Sequence, residues 1–297
     1  MSKRKTIPNL PSNINFLNLK SNRIILLYNS NFNNLNDLLE LDLSWNKLER
    51  MEFGSFTGLI NLQKLILEHN NLSLQWKSFP HGIFAPLKSL THLNAKYNDW
   101  DGFLACKNVV TKLTQLEIIE IDIDESPACP DIDYGFSKLT NLKSFVSGYC
   151  NFTLFGPITF ENMKCLQFVD ISRCSISVVL DDSFQGQKQL KHPKLKTIIL
   201  SHNILSDISF DMSTLPTLEM LNLSHNNIQA FSEESMESIY SRGGQNILFL
   251  VFLEQIRPSE LPLVMLELVQ KQSYIEYPND EQGNVVFWDK IKETLIT

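Results

Sequence analysis

Residues 38–48 read LLELDLSWNKL. Leu38, Leu41, Leu43, Asn46 and Leu48 fill the template L-x-x-L-x-L-x-x-N-x-L. The template returns at Ile14, Leu17, Leu19, Asn22 and Ile24, and again at Leu62, Leu65, Leu67, Asn70 and Leu72. Further copies centre on Asn98, Asp124, Cys150, Cys174, Asn203 and Asn226, so nine repeats carry polar slots 23 to 29 residues apart. Amphipathic helices placed by chance would show a 3.6-residue period, not a fixed L-x-L core. One unit of this kind cannot bury its own leucines. The copies must therefore stack into a solenoid whose short strands pair in parallel and line one concave face.

This is leucine-rich-repeat spacing, and it predicts a parallel-sheet solenoid over residues 1–231; after a join over 232–246, residues 247–297 read as a separate α/β unit, which makes the whole an α/β-class chain. In each strand the leucines face inward and their neighbours outward. The slot Asn is placed to satisfy backbone groups where the chain leaves the strand, and stacked copies would form a buried polar ladder. Phe32, Phe56, Phe84, Phe136, Phe160 and Phe184 recur before the next strand and should stack on the convex side.

The outward strand positions form the candidate binding face. Its charged and polar members are Glu40, Asp42, Lys64, Glu68, His92, Lys96, Glu120, Asp122 and Asp170. Interleaved apolar residues such as Ile66, Ile118 and Phe168 suit a contact surface, and the same pattern also describes an ordinary solvated sheet face. Two insertions, Ser73 to Leu87 and Phe184 to Lys194, could carry further contacts. Sequons at Asn71, Asn151 and Asn222 are glycosylation candidates, the last on the concave face itself.

The 297 residues carry a net charge of −7, which points away from nucleic acid as the main partner. Of five cysteines, Cys150 and Cys174 occupy slots and read as buried thiols. Cys106 and Cys129 sit on successive segments and could pair; the pairing among these four and Cys165 stays open. No C-x-x-C spacing occurs, so no metal is expected. The stretch from Met1 to Pro11 has no apolar core of signal-peptide length, and no run is long enough to span a bilayer. Taken literally, the chain is neither secreted nor membrane-spanning.

After Ile228 the repeat stops. Ile247 to Leu253 is a continuous apolar run that reads as a buried parallel strand. SIYSRGGQNILFLVFLEQI, QSYIEYP and VVFWDKIKETL resemble the C-terminal part of a Toll-like receptor's TIR domain, with Phe287 and Trp288 at its third conserved box. The repeats, with LDLSWNKL and LNLSHNNI, resemble the ectodomain of the same family. The resemblance implies an innate immune pattern-recognition protein, a single-pass cell-surface location, a microbial or protein ligand on the repeats, dimerisation, and adaptor recruitment by TIR. The chain departs from the family in lacking the cap cysteines, the membrane helix and the first half of the TIR domain. The alternative is a soluble or decoy repeat module without signalling. Some TIR domains cleave NAD. Glu233, Glu234 and Glu237 lie near the relevant helix without its W-C-x-x-E context, so no enzyme activity and no cofactor are expected. Phe287 and Trp288 are expected to be structural.

Overall fold

In the computed structural model, the structure describes residues 7, 10–29, 31–73, 80, 82–98, 110–122, 138–148, 154–155, 160, 163–180, 183–184, 193–206, 215–228 and 249–251. Nine three-residue strands come from the nine repeats: β1 (Phe16–Asn18), β3 (Glu40–Asp42), β5 (Lys64–Ile66), β6 (His92–Asn94), β7 (Ile118–Glu120), β8 (Ser144–Val146), β10 (Phe168–Asp170), β12 (Thr197–Ile199) and β13 (Met220–Asn222). They pair in that order, all parallel, with each central apolar residue opposite the next: Leu17, Leu41, Leu65, Leu93, Ile119, Phe145, Val169, Ile198, Leu221. A tenth strand, β14 (Phe249–Val251), adds to β13 in the same register. The apolar run thus forms the expected parallel strand, and it does so as a continuation of the solenoid sheet. Two short lateral pairs complete the described strands: β2 (Leu26–Leu27) with β4 (Arg50–Met51), and β9 (Leu154–Phe155) with β11 (Val178–Val179).

No α-helix occurs among the described residues, so of the expected α/β chain they show the parallel-sheet solenoid, built from strands and turns, and not its helical part. The TIR-like features beyond β14, including Phe287 and Trp288, lie outside them. So do Glu233, Glu234, Glu237, Asn151, Cys106, Cys129, Cys150, Asp124 and Phe136. No helix among the described residues is long and apolar enough to cross a membrane.

The slot asparagines form the expected ladder. Asn70 is typical: its Nδ2 donates to Leu43 O, Leu67 O and Glu68 O, and its Oδ1 accepts from Leu48 N. Asn46, Asn98, Asn203 and Asn226 repeat that scheme on their own and the preceding coil. Cys174 takes the slot as a buried thiol, its Sγ donating to Ser172 O (3.3 Å) and Ser147 O (3.5 Å). Cys165 is a half-buried thiol outside any disulfide.

The aromatic spine is present on both sides of Phe136. Phe32, Phe56 and Phe84 stack at 6.5 and 5.9 Å, and Phe160 and Phe184 at 6.0 Å. These rings sit against the leucine core and are at most 2% exposed. Gly58 turns the chain beside them at φ +96°, where a Cβ would lie 2.6 Å from Phe32 O. Only glycine fits that approach.

Candidate functional site

The concave face is built from three outward columns: the first strand residue, the third, and the residue two further on. On β3 to β10 the strand ends are half-buried around a buried centre, as expected of a sheet with one open face. On β12 and β13 every strand residue is buried. Asn222 is therefore only 1% exposed, and of the two described sequons Asn71 alone presents its amide to solvent.

The nine residues read as a binding face are brought into one sheet, yet most are already engaged. Glu40 pairs with Lys64 at 3.4 Å and His92 with Glu120 at 2.9 Å, each across neighbouring strands. Glu68 accepts from Asn94 Nδ2 at 3.0 Å. Asp42 and Asp170 do something else: each accepts from the backbone N–H two residues on, Ser44 N and Ser172 N. Asn18, Asn94 and Asn222 make the same bond in the same column. A short Asx side chain at this position closes a local turn as the strand ends. Asp42 and Asp170 are thus first of all turn-closing groups, and sequence reading had placed them only by the direction of their side chains.

Asp122 is different again. Its carboxylate accepts from Tyr97 N on one side and from Gly148 N on the other, tying three coils together. Elsewhere that position of Tyr97 N is served by a main-chain carbonyl, as where Trp45 N meets Glu68 O and His69 N meets Lys96 O. Burial pushes the Asp122 carboxyl above its ordinary value, against the opposing pull of those two N–H groups, Lys96 and His69. Burial likewise raises Asp170, opposed by Ser172, Lys96 and Arg173.

A carboxyl with a raised folded-state pKa binds protons more tightly folded than unfolded. Asp170 therefore adds stability as pH falls through its folded pKa and withholds it above. Replacing Asp170→Asn keeps the acceptor for Ser172 N, as Asn18 and Asn94 do. The expected result is a gain of roughly 0.5–1 kcal/mol at neutral pH and a smaller rise in stability on mild acidification, read by urea unfolding from pH 7 to 4.

A groove of about 310 Å³ opens at the start of the strands, lined by Phe16, Glu40, Gln63, Lys64, Thr91, His92, Glu117 and Ile118. Phe16, 70% exposed, stands at one end on β1, and Ile118 at the other on β7. It combines apolar ends with the Glu40–Lys64 ion pair, His92 and Glu117 between them. Lys64 and His92, read from sequence, line it together with Glu40; Phe16 and Gln63 were not singled out.

Sequence reading also missed a column of rings one residue before the slot residues Asn46, Asn70, Asn98, Asn203 and Asn226. Trp45, His69 and Tyr97 stack at centroid distances of 3.8 and 4.3 Å, and His202 and His225 at 4.0 Å. The backbone there is left-handed at every copy, φ 52° to 55° for these five residues. Lys96 Nζ lies 5.3 Å from the Tyr97 ring centroid. His202 is lowered to about 4 by burial, His225 and Arg173, and is neutral at physiological pH. The signal was available in the sequence as an aromatic or imidazole residue recurring directly before Asn. No group of metal-ligating side chains is assembled among the described residues.

The strand register, the asparagine ladder and the family match agree: the chain is a leucine-rich-repeat protein, with the leucine-rich-repeat model matching residues 12–72 and 193–240. It is 31% identical to osteomodulin of Bos taurus over 268 residues, 86% of this chain and 58% of that protein. It is 48% identical to Toll-like receptor 4 of Pinctada imbricata over 60 residues, 20% of this chain and 7% of that one. Lumican of Coturnix japonica matches at 28% over 244 residues, 80% of this chain and 66% of that protein. The chain spans about half the length of the osteomodulins it matches, at 58% and 48%. Among solved structures, a leucine-rich-repeat protein of Leptospira interrogans superposes with a TM-score of 0.60 at 21% identity, over 80% of this chain and 55% of that one. TLR13 in its complex with ssRNA13 gives 0.58 at 21%, over 80% of this chain and 37% of that one. These matches establish the repeat class and the fold.

Proposed function

We propose that the protein is a recognition protein of the Toll-like-receptor type, taking a microbial or protein ligand in the concave groove across β1 to β7. The observation that carries this reading is the groove itself: apolar ends at Phe16 and Ile118 with Glu40, Lys64 and His92 between them. The Pinctada match supports the family, and the RNA bound by TLR13 illustrates one ligand that such a solenoid can take. The test is biolayer interferometry of the whole chain against lipopolysaccharide, a triacylated lipopeptide and single-stranded RNA. One of these should bind, and Glu40→Lys with His92→Ala should weaken it at least tenfold. Binding of none, or binding indifferent to both substitutions, overturns the reading.

The finer part of the proposal is cell-surface display with TIR-linked signalling and dimerisation, without enzymatic turnover of NAD. The osteomodulin match over 86% of the chain favours a second reading, a protein-binding repeat module without signalling. Surface biotinylation and co-precipitation of a TIR adaptor with the expressed chain separate the two.

A further inference from the structure

The ring column ends in an uncovered indole. Trp45 is half exposed (50%) although His69 stacks on one of its faces at 3.8 Å. On the preceding coil the same position is Ser21, exposed, at φ 58°. Its N–H donates to Ser44 O at 2.9 Å, so Ser21 is the immediate neighbour one rung away. A hydroxymethyl group cannot cover an indole. The second face of Trp45 is therefore open, on a residue whose backbone is fixed by the Trp45 N to Glu68 O bond and whose ring is backed by His69 and Tyr97.

The surroundings of that face are cationic. Lys20 precedes Ser21, Arg23 follows it by two residues, and Lys47 follows Trp45 by two residues. All three are exposed, and none has an ion-pair partner among the described residues. From Asn15 to Asn36 the chain has no acidic residue, in a protein of net charge −7. Asp42, on the next strand, spends Oδ1 on Ser44 N. The rim is thus rich in donors and poor in acceptors.

We propose that the open Trp45 face, with Lys20, Arg23 and Lys47, is a binding site for an anionic saccharide. A pyranose lays one CH-rich face on an indole and carries sulfate or carboxylate groups around its edge, where these cations stand. A nucleobase also stacks on an indole. Its edge, however, carries donors as well as acceptors, and the charged side chains of this rim, Lys20, Arg23 and Lys47, are donors only. The charged groups of the sugar gain from cations that no carboxylate neutralises.

The test is isothermal titration of the whole chain with a heparin-derived sulfated hexasaccharide. Maltohexaose and a uridylate hexamer serve as comparison ligands. Binding should be at least tenfold tighter for the sulfated sugar than for either comparison. Trp45→Ser, which copies Ser21, should weaken it at least tenfold, and Lys20→Gln with Arg23→Gln should do the same, with thermal melting unchanged. Three results would overturn the site: no binding, loss with the cation variants but not with Trp45→Ser, or tighter binding of the uridylate hexamer. Glu40 and His92 are untouched in these variants, so failure here is distinguishable from failure of the groove.

Discussion

Asn70→Ala should lower stability by roughly 3–5 kcal/mol, a large fraction of what a repeat domain holds in reserve. The side chain is 7% exposed and makes four hydrogen bonds. Alanine fills little of the space and leaves the Leu48 N–H without its acceptor. Leu43 O, Leu67 O and Glu68 O each lose one donor and keep Asn46 Nδ2, Asn98 Nδ2 and Trp45 N–H respectively. The stranded N–H costs about 1–3 kcal/mol and each hydrogen bond lost from a carbonyl that keeps a second donor about 0.5–1.5 kcal/mol, partly relieved if water enters. Asn70→Asp should be no better. A carboxylate can accept from Leu48 N, but it cannot donate to Leu43 O, Leu67 O and Glu68 O, and it brings a charge toward three carbonyl dipoles. Asn70→Cys should recover part of the loss, because Cys174 already holds the equivalent slot four repeats on through two Sγ contacts.

Urea unfolding and hydrogen exchange at the Leu48 amide read the effect. Asn22→Ala is the internal control. Asn22 sits on the first described coil, is only half-buried, and donates to Leu19 O, which keeps Asn46 Nδ2 as a second donor, and to the exposed Lys20 O. About 1 kcal/mol is expected there. Equal losses at Asn22 and Asn70 would mean that burial is not what gives the ladder its weight.

That ladder was legible in the sequence because one residue type recurs at one place for one reason. The strand register was legible for the same reason, since a slip by one residue would turn Leu41 and Leu65 out of the core. The functional face was less so. Asp42 and Asp170 point outward as read, but direction does not say what a side chain is bonded to. Their turn-closing bonds need the backbone two residues on, and the recurring Asn or Asp between the core residues (Asn18, Asp42, Asn94, Asp170, Asn222) was the available sign. Likewise Thr197, Ile199 and Met220 alternate correctly and are nevertheless buried. Alternation reports which face a residue takes, and tertiary burial of that face is a separate matter. The ring column was missed because Trp45, His69 and Tyr97 differ in type. Their shared property is a left-handed backbone at stacking distance, which a template of leucines does not display.

Phe56→Ala tests the other repeated element, and about 3–5 kcal/mol should be lost. Phe56 is fully buried, nearly parallel to Phe32 (4°) and stacked with Phe84 at 5.9 Å. Removing the ring takes away its transfer free energy and leaves a cavity between two rings fixed to separate coils. Collapse is hindered on one side, because the turn at Gly58 already packs so close to the Phe32 coil that an added Cβ would lie 2.6 Å from Phe32 O. The coils therefore cannot simply close up, and most of the cavity cost should persist. Phe56→Leu refills much of the volume without the ring contacts and should lose about 1–2 kcal/mol. Phe16→Ala, at 70% exposure, should change stability by no more than about 0.5 kcal/mol. Because each coil is held mainly by its neighbours, the Phe56 defect should also divide the solenoid. Hydrogen exchange should accelerate in the coils of β1 and β3 well before those of β8 and β10. A uniform acceleration along the whole sheet would show instead that the nine repeats unfold as one unit, and that the spine adds stability without setting where the solenoid opens.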